Sequence, residues 1–161
     1  MIVIIMGVVG AGKTTVGKLL SAQLGYEFRD ADDFHSQANV EKIRHGIALS
    51  DEDREPWLDR LRQAIVGWVA SGSNVVLACS ALKSAYRTKL CAGPQVHFVY
   101  LKGSAGLIAE RLLARHGHFA GESILASQLA DLEEPKNAIT VEISGTPERI
   151  VADIRKGLHL G

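Results

Sequence analysis

The chain has 161 residues, 47% of them hydrophobic, which suits one domain with a proper core. Lysine plus arginine equals aspartate plus glutamate at 18 each, so no basic excess marks a nucleic-acid or membrane partner, and any polyanion site must be local. Cys79 and Cys91 lack CxxC or zinc spacing, and with no secretion signal they read as reduced thiols of a cytoplasmic protein.

In chain order, MIVIIM opens with a short β-branched run that reads as a buried strand near 2–6. GVVGAGKT, residues 7–14, then matches GxxxxGK[ST] in full between that strand and a helix expected near 13–24. Glycines there permit close backbone approach, so successive N–H groups can cradle phosphate oxygens at the positive end of the helix. The phosphates of a nucleotide are therefore expected on Gly7, Val8, Val9, Gly10, Ala11, Gly12, Lys13 and Thr14, with Thr15 near the α-phosphate. Lys13 would reach the β- and γ-phosphates, and the Thr14 hydroxyl would ligate Mg2+.

A second strand near 26–29 runs into FRDADDFH, residues 28–35. Asp30 and Asp32 are two apart, so an extended segment would set both carboxylates on one face, with Asp33 on the other and capping the next helix. At the carboxyl end of a strand beside the phosphate loop, one of these carboxylates can orient magnesium through water and the other can take a proton from an attacking hydroxyl. Asp32 is the stronger candidate for function, and the lack of an acid at the end of the third strand moves the magnesium role to Asp30. Helices near 36–46 and 52–71 follow, the second signalled by Ser50 and the acidic Asp51, Glu52 and Asp53, with Pro56 about one turn in. Strand 74–79 ends in VVLACSALK, with Cys79 and Ser80 where a motor ATPase would carry an acid, and no NKxD of a GTPase occurs. Further strands near 96–101 and 139–143 alternate with helices near 84–91, 104–115, 122–132 and 147–158. Such alternation predicts a parallel sheet with helical crossovers in a single domain, 1–161. Two stretches exceed simple crossovers, 30–72 and 112–135, and are expected to form a substrate-binding helical insertion and a lid.

Short length and the missing GTPase and motor signals favour a small kinase. Arg54, Lys83 and Arg87 fall in segments facing the same end of the sheet, with His35 close to Asp32. Gln128, in the lid helix, is expected to face the substrate, and His116 and His118 are too weakly spaced for a structural metal.

GVVGAGKTTVGKLLSAQLG, FRDADDFHSQANVEKIRHGIALSDEDREPWL, CSALKSAYR and RLLARHGHFAGESILASQLADLEEP, taken together and in this order, resemble the gluconokinase family of small P-loop sugar-acid kinases. The resemblance covers nearly the whole chain. It implies a five-stranded parallel sheet in the order 2-3-1-4-5, ATP and Mg2+, and transfer of the γ-phosphate to the terminal hydroxyl of D-gluconate, giving 6-phosphogluconate. It also implies a homodimer, with Arg111 over the adenine and Arg115 on the phosphates as in adenylate kinases. A sugar acid needs cations and hydrogen-bonding side chains, so Arg54 or Lys83 is expected on its carboxylate, Asp32 and His35 on hydroxyls, Arg87 nearby, and Trp57 on one wall. Rival readings are a kinase for shikimate or a different aldonate, and a nucleotide-sensing module without turnover. Lys13, Asp32 and Arg115 together speak against the sensor.

Overall fold

The computed structural model describes residues 1–116 and 122–161, apart from the side chains of residues 115, 116, 122 and 123. Five parallel strands, β1 (Ile2–Met6), β2 (Glu27–Asp30), β3 (Val75–Ala78), β4 (Val96–Lys102) and β5 (Ile139–Glu142), form one sheet in the order β2-β3-β1-β4-β5. The order implied by the family resemblance is the order observed.

The central place of β1 follows from its sequence. It pairs with β3 on one side and β4 on the other, and all five of its side chains are fully buried. Val3 and Ile5 point into one apolar layer with Val16 and Leu20 of α1 (Lys13–Leu24) and Ile150, Val151 and Ile154 of α7 (Pro147–Gly157). Ile2, Ile4 and Met6 point into the other, with Leu58, Leu61 and Ile65 of α3 (Asp51–Ser71) and Tyr86 and Leu90 of α4 (Ser84–Leu90). A strand covered on both faces has no polar side to show, hence the unbroken IVIIM. Each such side chain contributes roughly 1.5–3 kcal/mol by leaving water.

Helices α2 (Gln37–Arg44), α5 (Ala105–His116) and α6 (Glu122–Asp131) are the remaining α-helices among the described residues. Ser50 and Asp53 form the expected start of α3 as a capping box, the Ser50 hydroxyl accepting from Asp53 N–H at 3.1 Å and Asp53 Oδ2 from Ser50 N–H at 2.9 Å. Two features after β2 differ from expectation. Residues after Asp30 do not continue extended but close into a 3-10 turn, Ala31–Phe34, capped by the Asp30 carboxylate, which accepts from Asp32 N–H at 3.0 Å. Nor does Asp33 cap the next helix, since the Ser36 hydroxyl takes that place by accepting from Asn39 N–H at 3.2 Å.

The carboxyl ends of β1, β2 and β3 open on the same edge of the sheet and deliver the glycine loop, Asp30 and Cys79 side by side. Gly7 N–H donates to the Ser80 carbonyl at 3.3 Å and ties two of these ends together.

Candidate active site

The glycine loop keeps its shape through backbone angles that only glycine adopts easily. Gly10 and Gly12 have φ of +82° and +96°, and a Cβ on Gly10 would come within 2.7 Å of Leu112 on α5. Gly12 hands the chain directly into α1, whose first residues are Lys13, Thr14 and Thr15. The Lys13 ammonium donates to the Gly7 and Val8 carbonyls, each at 3.0 Å. Burial lowers its pKa, against the opposing pull of Asp32, Cys79 and Asp30.

A cavity of about 290 Å³ opens beside the loop and is shared by two sets of side chains. From the loop come Val9, Gly10, Gly12, Lys13, Thr14 and Thr15; across from them stand Asp30, Asp32, His35, Arg54 and Trp57. Solvent reaches Asp32 through the cavity mouth, yet burial among its neighbours raises its carboxyl above the ordinary range, while Lys13 pulls the other way. Burial raises Asp30 too, opposed by its hydrogen bond from Asp32 N–H. His35 stacks on Trp57 with ring centroids 4.4 Å apart and planes 10° from parallel. Burial and the nearby Arg54 and Arg60 guanidinium groups push its pKa down to about 4, so the imidazole is neutral at pH 7. Trp57 is fixed in turn by donating Nε1–H to the Ala31 carbonyl at 2.8 Å.

Arg54 is held from two sides. It donates to the Tyr86 hydroxyl at 2.9 Å and, from both terminal nitrogens, to Asp131 Oδ2 of α6 at 3.4 Å. The Tyr86 hydroxyl donates in turn to Asp51, which also accepts from Lys83 at 3.0 Å.

Lys83 and Arg87, the other two expected substrate cations, do not line this cavity. Lys83 is paired with Asp51 at the start of α3. Arg87 spends its guanidinium on backbone carbonyls, those of Ala81 at 2.7 Å, Leu82 at 3.1 Å and Glu133 at 2.7 Å. Ala81 sits at φ +45°, an uncomfortable angle for a residue with a Cβ, so Arg87 clamps a strained turn beside the site. Gln128 does line the cavity, with Oε1 accepting from Val9 N–H of the loop at 2.6 Å.

A second cavity, about 350 Å³, lies on the other side of the loop against Arg111, Gly145, Pro147 and Ile150. Arg111 is oriented by a hydrogen bond to the Ile143 carbonyl. The Arg115 and His116 side chains, and His118 with the rest of 117–121, lie outside the described residues.

Tyr86, Asp131 and Cys79 join the site without a signal in the sequence. Tyr86 adjoins Arg87 in CSALKSAYR and Asp131 sits in SQLADLEEP, but neither spacing shows which cation it meets. Cys79 lines the cavity, yet burial pushes its thiol up to about 12, which leaves it protonated and without nucleophilic character at neutral pH.

Known proteins resemble this chain in sequence and fold. Residues 9–153 match the shikimate kinase family model. The chain is 42% identical to a probable gluconokinase of Xenopus tropicalis, over 99% of this chain and 88% of that protein. It is 41% identical to a gluconokinase of Arabidopsis thaliana, over 95% and 89%. The crystal structure of a gluconokinase from Sinorhizobium meliloti 1021 superposes with a TM-score of 0.89 at 38% identity, covering 98% of this chain and 91% of that one.

Proposed function

The chain belongs to the gluconokinase family within the shikimate-kinase-like P-loop kinases, and we propose that its cavity carries the γ-phosphate of ATP to the terminal hydroxyl of D-gluconate. One observation carries the reading: Lys13 and Thr14 of the phosphate loop face Asp32 and Arg54 across a single cavity.

The acceptor chemistry follows from the side chains. Arg54 offers a planar guanidinium, already steered by Tyr86 and Asp131, to the gluconate carboxylate. Neutral His35 on its Trp57 platform offers a ring nitrogen to a sugar hydroxyl. Burial raises the pKa of Asp32, which makes its carboxylate a better base than an ordinary one. It accepts the proton of the attacking hydroxyl as that oxygen bonds to the γ-phosphorus and the bond to the β–γ bridging oxygen breaks, releasing ADP. Lys13 turns from the Gly7 and Val8 carbonyls to the β- and γ-phosphate oxygens, and Arg115, in the last turn of α5, adds charge there. The adenine takes the second cavity, under Arg111.

Among the described residues no group of three or more histidine, cysteine or acidic side chains is placed to hold a metal. The Thr14 hydroxyl and the Asp30 carboxylate, both lining the cavity, are hard oxygen donors that suit Mg2+, which keeps several waters and relies on phosphates for its remaining contacts. Bound there, magnesium supplies positive charge to the phosphate oxygens. Residues 30–72 serve as the acceptor flap and 112–135 as the lid. Among the described residues no helix is long and apolar enough to cross a membrane; the reading places the enzyme in the cytoplasm, as a homodimer that light scattering would reveal.

A coupled assay across D-gluconate, other aldonates and shikimate tests the assignment. Gluconate should give the highest kcat/KM, whereas ADP formation no faster with gluconate than with water would remove it.

A further inference from the structure

Gln128 lies where the two halves of the cavity meet. α6 turns Ile124, Ser127 and Gln128, one helical face, towards the cavity. Of these, Gln128 reaches the phosphate loop itself. Val9 N–H is a donor, so the atom it meets at 2.6 Å must be the carboxamide oxygen, and the Nε2 end carries two N–H donors with no hydrogen-bond partner among the described residues. Lys13 binds the carbonyls of Gly7 and Val8, so the ammonium and the carboxamide converge on the same three residues of the loop. Arg54, by contrast, is bound to Asp131, almost one helical turn further along α6.

A neutral donor fixed at this point has a use in the reaction. Phosphoryl transfer spreads charge over the three equatorial oxygens, and donors held in place before the reaction stabilise that charge without further reorganisation. We propose that Gln128 is a catalytic residue whose Oε1 is anchored on Val9 N–H and whose Nε2–H donates to an oxygen of the transferring phosphoryl group. This assigns it to the phosphate rather than to the sugar acid, and makes turnover depend on where α6 lies. The inference rests on the phosphotransfer reading above.

Two near-isosteric replacements separate donation from anchoring. Gln128→Glu keeps an oxygen for Val9 N–H but loses the donors, whereas Gln128→Met loses both. Steady-state kinetics should use whichever sugar acid the parent protein phosphorylates, so that a wrong acceptor assignment shows in the parent and the role of Gln128 in the ratio of variant to parent. Thermal unfolding and ADP binding accompany the kinetics. Both variants should lose about a hundredfold or more in kcat. Gln128→Met, which adds no charge, should keep its KM for ATP and its affinity for ADP within about threefold of the parent. A Gln128→Glu protein with kcat near the parent beside an impaired Gln128→Met would reduce the residue to an anchor and overturn the proposal. So would near-parent kcat in both, or a Gln128→Met defect confined to KM for ATP. Should Gln128→Glu fail to fold, near-parent kcat in Gln128→Met would still overturn the proposal.

Discussion

The two sides of the cavity are built in different ways. The phosphate side is one continuous stretch, Gly7 to Thr15, whose shape comes from glycine angles and a helix start. The acceptor side gathers Asp32 from a 3-10 turn, His35 from the connection after it, Arg54 and Trp57 from α3, and is braced by Tyr86 of α4 and Asp131 of α6. A local motif owes most of its shape to its own chain, here the glycine angles and the Lys13 bonds to Gly7 and Val8, with Ser80 and Gln128 adding one bond each from outside. A composite one is only as good as the packing that brings five elements together, and it is there that one phosphate-binding scaffold can be fitted to a particular acceptor.

That contrast is open to experiment. The largest effect is expected on the phosphate side, where Lys13→Ala should cut kcat about a thousandfold while the protein still unfolds cooperatively. On the acceptor side, Arg54→Lys keeps the charge but not the planar fork, and should raise KM for gluconate about ten- to a hundredfold with little change in KM for ATP, read from the same assay. Equal losses in both KM values would dissolve the division between the halves. Arg87→Ala probes the bracing alone: it should lower stability by about 2 kcal/mol in denaturant titrations, with KM for gluconate unchanged, because its bonds go to carbonyls of the Ala81 turn and Glu133. A raised KM without lost stability would return Arg87 to the substrate.

Acid should expose the smallest effect. His35 has a folded pKa of about 4 against an ordinary 6.5, so as pH falls from about 6.5 towards 4 the unfolded state takes up a proton that the folded state refuses. Stability present above that window is lost within it. His35→Phe, which preserves the stack on Trp57, should therefore lose less Tm than the parent between pH 7 and pH 5 in thermal melts.

Most of the fold was legible in the sequence, since seven helices and five strands stand within a residue or two of their expected places. The sharpest local miss was the 3-10 turn after Asp30, where a carboxylate capping its own chain outweighed the extended continuation. The phosphate loop was fully legible because its chemistry is carried by consecutive residues. Arg54, Lys83 and Arg87 could not be ranked in the same way. All three carry a positive charge at the same end of the sheet, and their fates depend on Asp131, Asp51 and three carbonyls brought close only by folding. The Gln128–Val9 bond, spanning 119 residues, left no trace in the spacing.

The central claim is that Asp32 activates a hydroxyl held across the cavity from Lys13, and Asp32→Asn tests it most directly. Burial raises the folded pKa of Asp32 above the ordinary 3.8, so its ionisation costs stability at every pH above that folded value, and the variant should melt no lower than the parent at pH 7. The coupled assay at that pH should then show kcat reduced about 10²- to 10⁴-fold, with gluconate affinity retained. Turnover near that of the parent in a folded Asp32→Asn protein would contradict the account.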